Sequence, residues 1–73
     1  MNGQLKLCSG GEAIKKFQRK GWKTARQRGS HVMLVKKGYA YTLAVPLHKE
    51  IGTGLLRKLL QQAQISVDEF NAL

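Results

Sequence analysis

Arg28-Gly29-Ser30-His31 combines a proton carrier with phosphate ligands in four residues. Histidine alone has an unperturbed side-chain pKa near neutrality, and a guanidinium presents a fork of donors that suits phosphate oxygens. The tetrad lies inside a span from Ala13 to Lys49 that holds ten Lys or Arg residues and no Asp or Glu. Clustered cations of this kind are the electrostatic footprint of a polyanion site. A base beside phosphate ligands can take the proton of a ribose 2′-hydroxyl, so the chemistry implied is on RNA. His31 is the candidate proton carrier. Arg26, Arg28, Gly29, Ser30 and Lys36 are candidate RNA contacts, together with Lys16 and Lys20 on the first helix. The plain alternative is a turn in which Gly29 relieves strain, Ser30 bonds locally and His31 merely begins a strand.

His48 has two readings, a second acid or base or a solvated loop residue. Two His, one Cys and no acidic residue near His31 match no ligand spacing of a zinc or magnesium centre, so neither a metal nor another cofactor is expected. Cys8 is alone, which rules out an internal disulfide and reads as a small apolar filler in a reducing compartment. No run has the pattern of a signal peptide or the length of a membrane span, so the expected location is the cytoplasm.

The elements that must position these residues fit one domain over residues 1–73. A chain this short buries only about 60% of its unfolded surface, so its core is thin. Apolar residues make up 42% of it and recur periodically, which favours folding, while a net charge of +9 favours a polyanionic partner. Ser9 with Glu12 has the form of a capping box. It starts a helix with Ala13, Ile14 and Phe17 on the core side and Lys15, Lys16, Arg19 and Lys20 on the other, stopped by Gly21. Trp22, a core anchor, opens a short strand to Gln27. His31 to Lys36 and Tyr39 to Val45 read as two strands joined by a two-residue turn at Lys37-Gly38. That turn sets Val32 opposite Leu43 and Leu34 opposite Tyr41, leaving His31, Met33 and Val35 on the accessible face.

Pro46 ends the third strand, and Leu47 to Gly52 connects it to a second helix opening at Thr53 or Gly54. Leu55, Leu56, Leu59, Leu60 and Ala63 form its apolar stripe. Ser66 with Glu69 reads as another capping box, starting a short helix from Val67 to Leu73 that packs Phe70 inward. The predicted class is α+β: an α-β-β-β-α order with a three-stranded antiparallel sheet, both helices on one face, and a short C-terminal helix. Double-stranded-RNA-binding domains share that order.

Five segments carry a closer resemblance: Ser9-Gly10-Gly11-Glu12-Ala13-Ile14, Gly21-Trp22, Arg26-Gln27-Arg28-Gly29-Ser30-His31, Val45-Pro46-Leu47-His48 and Ala63-Gln64-Ile65-Ser66-Val67-Asp68-Glu69-Phe70. In this order, over almost the whole chain, they resemble the successive signatures of the HicA toxin family. The resemblance implies a double-stranded-RNA-binding-like fold, ribonuclease activity on mRNA, a catalytic His at His31 and neutralisation by a HicB antitoxin. Leu55 stands where the family usually has Thr after Gly, and Gln64 where a helix-ending Gly is common. Three functions fit the residues: a metal-independent endoribonuclease toxin, a noncatalytic RNA-binding module, and a basic domain that binds an acidic protein. Only the first requires His31 to carry a proton.

Overall fold

The computed structural model describes residues 4–73. Its elements are α1 (Gly10–Arg19), β1 (Lys23–Arg28), β2 (His31–Val35), β3 (Leu43–Pro46), α2 (Thr53–Ala63) and α3 (Val67–Ala72). The strands form one antiparallel sheet in the order β1-β2-β3. This is the expected α+β architecture, with α1 and α2 contributing Ala13, Phe17, Leu56 and Leu59 to the same core as Val32, Leu34, Leu43 and Val45. Both helices pack over β3. All six residues of β1 are therefore exposed, and β1 is the far edge of the sheet.

Helix α1 begins as the sequence requires. Ser9 Oγ accepts from the Glu12 N–H at 3.1 Å, and Glu12 Oε1 accepts from the Ser9 N–H at 3.2 Å, a reciprocal capping box. Those Ser9 donors hold the Glu12 carboxyl below its ordinary pKa. The helix ends in a Schellman motif: Gly21 N–H bonds to Gln18 C=O at 3.0 Å and Trp22 N–H to Phe17 C=O at 3.1 Å. Helix α2 ends the same way, Gln64 N–H reaching Gln61 C=O at 3.2 Å and Ile65 N–H reaching Leu60 C=O at 3.0 Å. In both motifs the two apolar residues that flank the cap, Trp22 with Phe17 and Ile65 with Leu60, are buried. The left-handed residue differs: Gly21 in α1 has φ 96°, whereas in α2 Gln64 is held at φ 58°.

Three expectations need correction. The β2–β3 connection runs over residues 36–42 rather than two residues, and β3 begins at Leu43. Val32 therefore faces Val45 and Leu34 faces Leu43, a shift of two residues from the expected pairing. The cause is Tyr39, whose N–H bonds to Lys36 C=O at 3.1 Å while its ring turns onto Trp22 at a centroid distance of 5.2 Å. Tyr39 is consumed by packing instead of strand pairing. A shift of two preserves the face of every side chain, so the apolar set still meets the helices. Second, Leu55 is 39% exposed; the buried stripe of α2 is Leu56, Leu59, Leu60 and Ala63, and Ile51 and Ile65 complete it at either end. Third, Ser66 Oγ accepts from Glu69 N–H at 3.1 Å, but the Glu69 carboxylate pairs with Lys20, so only half of the second capping box forms.

One contact leaves no room for a side chain. A Cβ on Gly10 would lie 1.9 Å from the Pro46 carbonyl oxygen and 2.9 Å from Leu47 Cα, both backbone atoms. Gly11 meets nothing nearer than Ser9 Oγ at 4.0 Å. Gly10→Ala is expected to destabilise the fold by at least ~2 kcal/mol in denaturant titration, with Gly11→Ala changing it by less than about 1 kcal/mol in either direction. In the same assay Gln64→Gly is expected to stabilise by about 1 kcal/mol, because it removes the steric penalty of a left-handed side chain.

Candidate active site and basic face

The β1–β2 hairpin closes on Gly29-Ser30, with Arg28 paired to His31 across it. Gly29 has φ 58° and Ser30 a negative φ, the pattern of a two-residue II′ hairpin turn with Gly at its first central position. A Cβ built on Gly29 meets nothing within 4 Å, so glycine is required here for its backbone conformation and not for space. The open surroundings leave the turn backbone approachable. Two bonds hold the turn: Gln27 Nε2 donates to Gly29 C=O at 2.9 Å, and Leu47 N–H donates to Ser30 C=O at 2.7 Å.

His31 is exposed and lies between Arg28 on β1 and Pro46 on β3. Paired residues share a face, so His31, Met33 and Val35 stand opposite the core side of the sheet with Arg28, Arg26 and Lys23 beside them. Lys23 belongs to this row only because of a bulge. Thr24 pairs with Leu34 and Arg26 with Met33, which leaves Ala25 as the extra residue. Strict alternation would have sent Lys23 to the other face from Arg26 and Arg28. The bulge brings all three cations onto the His31 face, and the sequence carries no periodic signal of it.

His48 follows Pro46 by two residues and is exposed. Its carbonyl accepts from the Gly10 N–H at 2.9 Å, which ties the loop after β3 to the start of α1. His31 and His48 thus occupy the same end of the sheet. Three other candidate cations are used elsewhere. Lys16 Nζ donates to Phe70 C=O at 3.1 Å and sits 4.7 Å over the Phe70 ring, and Lys20 pairs with Glu69, whose carboxylate raises the Lys20 pKa. Lys36 Nζ donates to Lys20 C=O at 2.6 Å and lies 4.8 Å from the Tyr39 centroid, at the other end of β2 from His31. The structure therefore gathers Arg26, Arg28, Gly29, Ser30, His31 and His48, and places Lys16, Lys20 and Lys36 in contacts with α3, Tyr39 and the end of α1.

Cys8 is half-buried against the core, and burial pushes its thiol up. A thiol kept protonated is a poor nucleophile. Among the described residues no group of three or more His, Cys, Asp or Glu could hold a metal ion, and no helix is long and apolar enough to cross a membrane.

A small α+β fold with a cationic, histidine-bearing sheet face is the framework on which the family match falls. The profile described as HicA toxin of bacterial toxin-antitoxin matches residues 10–65, from the first residue of α1 to the end of the α2 cap. The chain belongs to the HicA toxin family. No curated protein matches it. The segment before Gly10 and helix α3 lie outside the matched region.

Gly29→Ala is expected to lower stability by about 1–2 kcal/mol through backbone strain alone. Gly29→Asn, which tolerates the left-handed region better, is expected to recover part of the loss in thermal melts.

Proposed function

We propose that this protein is the toxin of a type II toxin–antitoxin pair and a metal-independent endoribonuclease that cleaves mRNA with His31 as its proton carrier. The observation that carries the reading is the exposed His31 set directly across from Arg28, with Arg26 and Lys23 along the same face. Family membership makes the chain a toxin. The arrangement supplies a chemistry by which such a toxin acts.

RNA cleavage by internal attack forms a bond from the 2′ oxygen to phosphorus and breaks the bond from phosphorus to the 5′ oxygen. The products are a 2′,3′-cyclic phosphate and a 5′-hydroxyl. His31 takes the 2′ proton, and His48 or a water at the same end of the sheet returns one to the departing 5′ oxygen. Arg28 and Arg26 hold the nonbridging oxygens, where negative charge grows in the transition state. Ser30 donates to an adjoining phosphate, and the open backbone at Gly29 lets the strand come close. No step needs a metal.

An exposed nuclease site of this charge calls for control. The antitoxin, by the family resemblance a HicB-like protein, covers His31 and presents carboxylates to Lys23, Arg26 and Arg28. Opposite charge makes association fast and salt-sensitive, while apolar contacts set dissociation. A noncatalytic RNA-binding domain would use the same cations but would not need His31.

His31→Ala is expected to melt like the wild-type protein, since the side chain is exposed, and to lose RNA cleavage in chelator by a factor of about 10²–10⁴. A folded variant that cleaves at the wild-type rate contradicts the assignment. With an uncleavable single strand, Lys23→Ala, Arg26→Ala and Arg28→Ala are each expected to flatten the slope of log affinity against log salt by about 0.7 for every phosphate left without its cation. Lys16→Ala and Lys20→Ala are expected to leave that slope unchanged, because their side chains hold α3. An unchanged slope in the first three, with a flattened one in the last two, would place the RNA on α1.

A further inference from the structure

Tyr41 has no place in the core. Phe17 and Phe70 face each other at 5.4 Å and Trp22 and Tyr39 at 5.2 Å, so the other aromatic rings of the described chain are spent on packing. Tyr41 is 58% exposed in the β2–β3 connection. It forms one wall of an open groove of about 510 Å³ whose remaining lining is Lys58, Gln61 and Gln62 of α2. Their i, i+3, i+4 spacing puts the three on one flank of the helix, outside the buried stripe of Leu56, Leu59, Leu60 and Ala63.

The lining is an aromatic face, one cation and two carboxamides, with no carboxylate. An aromatic face stacks any nucleobase, and a carboxamide offers the donor and acceptor that base edges match. The ammonium group takes an adjacent phosphate. An unpaired nucleotide uses every one of these groups, whereas an acidic peptide would use the ammonium and leave both carboxamides and the ring without a defined role.

We propose that the groove between Tyr41 and α2 is a nucleobase subsite for single-stranded RNA, with one unstacked base on the Tyr41 ring, its edge read by Gln61 and Gln62, and its phosphate held by Lys58. The proposal deepens the ribonuclease reading and rests on it for the identity of the polymer. Tyr41 follows the end of β2 opposite to His31, and a five-residue strand spans about 13 Å at ~3.3 Å per residue. Because α2 packs on the core side of the sheet and His31 stands on the other, an RNA strand that fills both sites crosses the β3 edge, so the base so held lies several nucleotides from the bond that is cut. The subsite therefore selects the sequence context of cleavage.

Two measurements test it. The first needs no catalysis: each of the four ribonucleoside 5′-monophosphates is titrated into isotope-labelled protein. The side-chain amide signals of Gln61 and Gln62 and the Tyr41 ring signals are expected to shift and saturate, with the shifts abolished in Tyr41→Ala and kept in Tyr41→Phe. The second uses the His31→Ala background and a single-stranded RNA decamer, where adding Tyr41→Ala is expected to weaken affinity about 5-fold or more. In the cleaving protein Tyr41→Ala is expected to change which positions of a long RNA are cut. Absence of shifts at Gln61 and Gln62, or an unchanged decamer affinity, overturns the subsite. Failure of the wild-type protein to cut RNA overturns the ribonuclease reading and leaves the nucleotide titration to decide the groove. Loss of antitoxin affinity with RNA affinity intact makes the groove a protein surface and overturns the nucleobase assignment.

Discussion

The arrangement around His31 depends on how closely the start of α1 approaches the end of β3. Gly10 N–H is a first-turn donor with no partner inside its own helix, and it finds the His48 carbonyl at 2.9 Å. That bond forms because residue 10 has no side chain; a Cβ there would overlap the Pro46 carbonyl oxygen. One residue before His48, the Leu47 N–H bonds to Ser30 C=O at 2.7 Å. A short chain of backbone contacts thus runs from the α1 N-terminus through the loop after β3 to the β1–β2 turn. It fixes the end of the sheet where His31 and His48 stand, and it does so without using either imidazole.

Charge is divided between two tasks. With 13 Lys and Arg against 4 Asp and Glu, the chain cannot neutralise itself by ion pairs. It satisfies part of the excess with carbonyl oxygens: Lys16 on Phe70, Arg19 on Leu73 and Lys36 on Lys20. With the Lys20–Glu69 pair, these contacts dock α3 on α1 and close the β2 end beside Tyr39. Each exposed contact of this kind adds little stability alone, so the burial of Phe70 against Phe17 carries most of the attachment. The cations on β1 have a different setting. They lie on an edge strand that no helix covers, and the bulge at Ala25 turns them to one side.

Much of this is legible in the sequence because it follows from local rules. The Ser9–Glu12 box, the left-handed stop at Gly21, Pro46 at the end of β3 and the apolar alternation of β2 each fix an element within a few residues. The accessible face of His31 also follows, since a register error of two residues does not change which side a side chain is on. What cannot be read is set by contacts distant in sequence. Tyr39 leaves the strand because Trp22 is there to receive its ring, and Glu69 abandons its own cap because Lys20 is within reach. Lys23 joins Arg26 and Arg28 through a bulge that no period reveals. The candidate RNA contacts at Lys16, Lys20 and Lys36 rest on charge alone, and charge does not say whether a cation faces solvent or a carbonyl.

In the proposed reaction His31 removes a 2′-hydroxyl proton so that the RNA attacks its own phosphate. Two oligonucleotides of identical sequence distinguish this in excess chelator, one all-RNA and one with a single 2′-deoxyribose on the 5′ side of the cleaved bond. The first is expected to be cut to a 2′,3′-cyclic phosphate and a 5′-hydroxyl, and the second to resist at that bond while still binding with similar affinity. Equal cleavage of both strands, or products bearing a 5′-phosphate, would rule out internal attack by the 2′ oxygen.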